Sequence, residues 1–137
     1  MSMPVPPALS VGRRLVELCQ KGQFHEAMQE LYADDARHVE PYPMGEQMPQ
    51  ETTGKPALLQ GSQYWMEANE MHGGEVKGPF PHGDDRFAMW CSLDVTPKAG
   101  PMAGKRHVMQ EICLYTVRNG KIVLAEFFWD PSPMAGM

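Results

Sequence analysis

The chain has 137 residues and a net charge of −5, a length that suits one domain with a fair-sized core. The acidic balance argues against nucleic acid as a partner, because phosphate binding needs a basic surface. No apolar run approaches the ~20 residues of a membrane helix, so a soluble protein without a membrane partner is expected. Cys19, Cys91 and Cys113 stand apart without C-x-x-C spacing. That pattern, with no charged and apolar leader, points to reduced, packed thiols in a cytoplasmic protein.

Residues 1–7 carry three prolines and read as an extended arm. Ser10 is a plausible N-cap for a helix over Val11–Lys21, with Leu15, Leu18 and Cys19 as its apolar stripe and Gly22 as its stop. A second helix is predicted over Phe24–Tyr32, then a turn at Asp34-Asp35 and a short strand over Ala36–Glu40 ended by Pro41. The proline- and methionine-rich stretch 41–53 reads as a loop, either a lid or a solvated connector. A third helix is predicted over Lys55–Met71, with Pro56 in its first turn, Trp65 central to its mixed stripe, and His72-Gly73-Gly74 ending it. Glu75–Pro81 reads as an irregular edge strand, since two prolines interrupt it. Arg86–Val95 alternates cleanly, placing Phe87, Met89, Cys91, Leu93 and Val95 on one face. A loop over 96–104 then leads into the last segment.

That segment, Lys105–Asp130, reads as a long hairpin with its turn at Arg118-Asn119-Gly120. Two registers are open. A two-residue turn sets Val117 opposite Ile122 and puts Glu111 on a face with Glu126 and Phe128. A three-residue loop sets Val117 opposite Lys121 and Glu111 across from Phe127, among Met109, Cys113, Tyr115, Ala125 and Trp129. The second is preferred, because it gathers one carboxylate onto an aromatic wall. Both faces of the hairpin are largely apolar, so both should be covered. Ile112, Leu114, Ile122, Leu124 and Phe128 then suggest a homodimer through the outer sheet face. Helices followed by antiparallel strands mean an α+β class, with a curved sheet that leaves an apolar cavity at its open end.

Three strings, LYADDARHVEP, HGDDRFAMWCSLDVTP and YTVRNGKIVLAEFFWD, together with the element order, resemble the nuclear transport factor 2-like superfamily in its SnoaL-like, polyketide cyclase-like branch. The resemblance implies a cystatin-like, cone-shaped α+β fold in which a curved antiparallel or mixed sheet wraps three helices from the N-terminal half. It names no reaction, because this fold serves isomerases, cyclases, hydrolases, dehydratases and binding domains. Glu40, before Pro41, matches the base position of the superfamily's ketosteroid isomerases. Leu15 and Cys113 fall where those enzymes carry the tyrosine and protonated aspartate of an oxyanion hole, which speaks against steroid isomerisation.

The residues themselves offer a small set of candidates. Glu40 is the leading base, since a carboxylate in an apolar site has its pKa raised toward working pH. Its bland alternative is a strand-end carboxylate bonding loop amides. Glu111 sits mid-strand and is either a pocket group or the partner of Arg86, Arg106 or Lys105. His38, two residues from Glu40, could share its face and form an acid/base couple. His72 is read as a helix-terminal cation that could reach the cavity mouth. Trp65, Met109, Tyr115, Phe127 and Trp129 are read as cavity walls for an apolar ligand. His107 and Glu111 lie ~13 Å apart along a strand, and no metal-ligand spacing occurs, so neither metal nor cofactor is expected. Three readings follow. One is a cofactor-independent enzyme moving a proton on a small hydrophobic carbonyl compound. The others are a non-catalytic ligand-binding or dimerisation module, and a structural sheet whose cavity is filled by its own side chains.

Overall fold

The computed structural model describes residues 5–46 and 48–132; residues 1–4 of the expected arm lie outside them. The elements run α1 (Pro7–Gln20), α2 (Phe24–Leu31), β1 (Tyr32–Val39), β2 (Glu51–Thr53), α3 (Lys55–Ala68), β3 (Asn69–His82), β4 (Arg86–Pro97), β5 (His107–Arg118) and β6 (Lys121–Phe128). The six strands form one sheet in the order β2-β1-β6-β5-β4-β3. Only β1 and β6 pair in parallel. This is the α+β cone: three helices lie against the concave face of a mixed sheet. Among the described residues no helix is long and apolar enough to cross a membrane.

Helix α1 begins four residues before the expected start. Pro7 occupies its first turn, where a missing N–H costs nothing. The Ala8 N–H donates to the carbonyl of Asp84 in the β3–β4 turn (3.1 Å), so a tertiary contact does the work expected of Ser10. Its buried stripe, Ala8, Val11, Leu15, Leu18 and Cys19, includes the three stripe residues read from the sequence. Gly22 ends the helix at φ +73°.

Three boundaries differ from expectation. Asp34 and Asp35 do not turn the chain; β1 runs straight through them, and the register slips between Tyr32↔Ile122 and Arg37↔Leu124, so the exposed aspartates ride an irregular stretch of strand. Helix α3 stops at Ala68, where the Asn69 side chain donates to the Trp65 carbonyl (3.0 Å) and satisfies an orphaned acceptor. His72, Gly73 and Gly74 therefore belong to β3. The glycine at 74 serves close strand approach, since a Cβ there would lie 2.6 Å from the Ser92 carbonyl oxygen. Glu51–Thr53, expected within a loop, pairs with β1 as a short edge strand.

The last hairpin matches neither register as written. Asn119 and Gly120 both have positive φ (53° and 76°) and form a two-residue turn, with Val117 opposite Ile122. Beyond it the pairing shifts to Thr116↔Leu124, Tyr115↔Ala125 and Cys113↔Phe127, leaving Val123 as an extra residue. The bulge turns Ala125, Phe127 and Trp129 inward with Glu111, as the preferred register did, but Phe127 faces Cys113 across the strands instead of Glu111. The two-residue turn also sets Ile122 opposite the inward-facing Val117, so Ile122 lies in the core, wholly buried, and not on the outer face as expected.

The core joins α1, α2 and Leu58 of α3 to the inner residues of β4, β5 and β6. Gly12 lets α1 seat on the sheet, because a Cβ there would lie 2.8 Å from Cβ of Pro79 and 3.1 Å from the Phe87 ring. Gly12→Ala should therefore destabilise the protein. Overpacking of about 1–3 kcal/mol outweighs the ~1 kcal/mol gained in helix propensity. Urea unfolding measures the net loss, and a gain in stability would show that the seat is loose.

Candidate active site

A cavity of about 690 Å³ opens between the helices and the concave sheet. Its floor is β4 and β5, one wall is β6 with the end of β1, and α1, α2 and α3 close the opposite side. Tyr42, Met44, Met48, Pro101 and Met102 come from the loops at the mouth. Seven methionines line it (Met28, Met44, Met48, Met66, Met89, Met102 and Met109), so much of the lining is made of adaptable, polarisable side chains. Among the described lining residues there is no lysine or arginine.

Glu111 lies on the floor. Strand alternation puts it inward beside Met109 and Cys113, and register sets it opposite Cys91. The Cys91 and Cys113 thiols donate to Glu111 Oε1 at 3.3 and 3.6 Å. Arg106 pairs with Asp94 instead (2.9 Å), so one of the three cations considered for Glu111 is engaged elsewhere, and neither Arg86 nor Lys105 lines the cavity. Thiols are weak donors and stabilise an anion poorly. Burial therefore dominates, pushing the Glu111 carboxyl up to about 7 against the pull of the two thiols, with the charge of Glu40 adding to the rise. Cys113 is itself held well above an ordinary thiol, first by its contact with Cys91 and then by burial. The ligand atoms of Cys91, Glu111 and Cys113 lie within 4.8 Å of one another, and in this protonated form they are a hydrogen-bonded cluster around one carboxyl oxygen. Cys19, from α1, also lines the cavity, and burial raises its thiol to about 12.

Glu40 lies nearer the mouth, just past β1, where its backbone N–H donates to the Gln50 carbonyl (2.7 Å). Trp129 Nε1–H donates to its carboxylate at 2.8 Å, and Tyr42 meets the Trp129 ring edge-on. Burial raises the Glu40 carboxyl and the indole bond opposes that rise. His38 also lines the cavity, with Nε2 2.7 Å from the Tyr32 hydroxyl and its ring edge-on to Phe127. Burial lowers its pKa to about 4, so the imidazole is neutral at pH 7.

Glu40, Glu111, His38, Trp65, Met109, Tyr115, Phe127 and Trp129 thus all border one space. His72 does not. It is an exposed residue of β3 whose Nε2 lies 2.7 Å from Thr96 Oγ1, because α3 ends before reaching it. Sequence reasoning missed Tyr32, which it assigned to a helix end, and the pairing of Cys91 with Glu111. Alternation placed each on an inner face, but only register across strands brings them together.

The SnoaL-like domain model matches residues 8–129. The chain belongs to the SnoaL-like domain family. A candidate SnoaL-like polyketide cyclase from Mesorhizobium loti, also described as a carbohydrate phosphatase, is 39% identical, with 88% of this chain and 97% of that one aligned at a TM-score of 0.80. A second candidate SnoaL-like polyketide cyclase, from Jannaschia sp. CCS1, shares 13% identity over 98% and 93% of the two chains (TM-score 0.73). The Δ5-3-ketosteroid isomerase of Mycobacterium sp. shares 21% identity over 93% and 96% (TM-score 0.67); these two show the common fold. No protein with a curated description matches the SnoaL-like chain significantly.

Two of the perturbed groups of this SnoaL-like cavity, Glu111 and His38, act oppositely on stability. Glu111 is raised from 4.5 to about 7, so the folded state holds its proton longer and stability is lost as pH rises through that window. His38 is lowered from 6.5 to about 4, so stability is lost as pH falls through its own window. Glu111→Gln should remove the first contribution. Its stability relative to the parent protein should rise from pH 4.5 to above pH 7 by on the order of 3 kcal/mol. Chemical unfolding across that range checks this, and a pH-independent difference would contradict the placement of Glu111.

Proposed function

We propose that the protein is a cofactor-independent isomerase, cyclase or lyase that moves a proton on a small hydrophobic carbonyl compound. The observation that carries this reading is the entry of two carboxyl groups with raised pKa values into one apolar cavity. Their surroundings divide the work. Glu40 accepts a bond from Trp129 that opposes the rise caused by burial, and its carboxylate is the group suited to take a proton from carbon. Glu111 titrates near neutrality and is the group that holds a proton to give. Glu40 takes the α-proton, the electron pair moves to the carbonyl oxygen as an enolate, and a carboxyl returns a proton at the same or another carbon.

A second reading, a ligand-binding module without catalysis, is supported by Leu15 and Cys113, which line the cavity where an oxyanion hole would need donors. One experiment separates the two. In D₂O a catalytic cavity exchanges the methyl protons of 2-acetonaphthone for deuterium, followed by NMR. Glu40→Gln should slow that exchange by about 10²-fold or more while binding persists. Binding without any exchange in the parent protein would favour the module.

We also infer a homodimer through the outer sheet face, now drawn by Val108, Ile112 and Phe128, which are 60%, 44% and 51% exposed on neighbouring strands. Ile112→Asp should shift sedimentation at micromolar concentration from dimer to monomer; a monomeric parent protein would remove the inference.

A further inference from the structure

The cavity lacks donors at the two positions where the superfamily's isomerases place them, yet a carbonyl ligand needs at least one. Tyr32 and His38 supply it through a deduction about a proton. Tyr32 is 3% exposed, and its hydroxyl lies 2.7 Å from His38 Nε2. Either group could donate in that bond. If Nε2–H donated, the phenolic proton would need another acceptor, and none lies in hydrogen-bonding reach among the described residues. Leaving a buried donor unsatisfied costs about 1–3 kcal/mol. Tyr32 therefore donates and Nε2 accepts. A neutral imidazole then carries its single proton on Nδ1. That nitrogen has no partner among the described residues and is not sealed from solvent. Since His38 lines the cavity, its N–H opens into it.

We propose that His38 is the carbonyl-polarising residue of this cavity, a neutral Nδ1–H donor oriented by Tyr32. It would accept ligands that present a ketone or enolate oxygen and turn away those that present only a donor, such as an ammonium group. Tyr32 is a positioning residue, because it acts through the ring. Glu40 lies two residues further along, roughly 7 Å at the Cα atoms. Both residues line the same cavity, so a carbonyl compound held at Nδ1–H occupies the space that Glu40 also borders. The proton on Nδ1 stays there throughout; it stabilises the enolate by hydrogen bonding and is not transferred. The low basicity of the ring supports this, since an imidazole that resists protonation keeps one fixed donor across the working pH range.

The substrate part of this inference rests on the proton-transfer reading; the tautomer does not. Imidazole ¹⁵N NMR at pH 7 should place the His38 proton on Nδ1, and Tyr32→Phe should admit the other tautomer. The carbonyl stretch of bound 2-acetonaphthone, read by difference infrared spectroscopy, should fall below its value in cyclohexane. In His38→Phe that shift should vanish while binding weakens about three- to tenfold. A proton found on Nε2, a tautomer unchanged in Tyr32→Phe, or a shift that survives in His38→Phe would overturn the proposal. Failure of 2-acetonaphthone to enter the parent protein would instead contradict the proposed function, and the tautomer spectrum would still decide the role of Tyr32.

Discussion

Between Val117↔Ile122 and Thr116↔Leu124 the last hairpin carries Val123 with no partner on β5, and the composition of the cavity follows from that extra residue. Strand alternation fixes Met109, Glu111, Cys113 and Tyr115 on the concave face of β5 whatever β6 does. The bulge decides their companions. Without it Leu124, Glu126 and Phe128 would face inward, adding a second acid to the floor and turning Trp129 away. With it, Phe127 reaches the edge of His38 and Trp129 reaches Glu40. A one-residue insertion in β6 thus sets the electrostatics of a site whose acids come from β5 and from the residue just past β1.

Those electrostatics rest on unequal solvation. Glu40 and Glu111 repel each other in a lining that, among the described residues, holds no lysine or arginine, and each loses water on burial. The indole N–H at Glu40 is a firm donor, while the thiols at Glu111 are weak ones. The same chemical group is therefore more easily ionised at the mouth and more easily protonated at the floor. On the proposed reading, two identical acids held in unlike surroundings would serve as the proton acceptor and the proton donor. The cavity costs stability, because burial of a carboxyl without a cation is unfavourable, and the packed helices and β4 must offset it.

Much of this was legible in the residues because it depends on period. The β4 face, the α1 stripe, the Asn-Gly turn and the inward set on β5 follow from alternation or helical spacing. What was illegible depends on contacts distant in sequence. Ser10 looked like a cap, but the Asp84 carbonyl fills that need from across the fold. His72 looked like a helix end because Gly73 and Gly74 are stop signals; in the fold Asn69 stops the helix earlier, and Gly74 serves a close strand approach. The hairpin could be read only as one register or the other, since nothing local marks Val123 as a bulge. The thiol partners of Glu111 and the anchor of His38 belong to the same class. Each requires knowing which residues of two separate segments lie side by side.

The proposed chemistry depends first on the floor of the cavity. A ¹³C NMR titration of the Glu111 side-chain carboxyl, assigned by its loss in Glu111→Gln, reads its ionisation directly. A midpoint at about 7 is the predicted result. A midpoint near the ordinary carboxyl value of 4.5 would mean that the carboxylate is solvated or paired with a cation, and the cavity would then lack the proton donor on which the proposed chemistry depends.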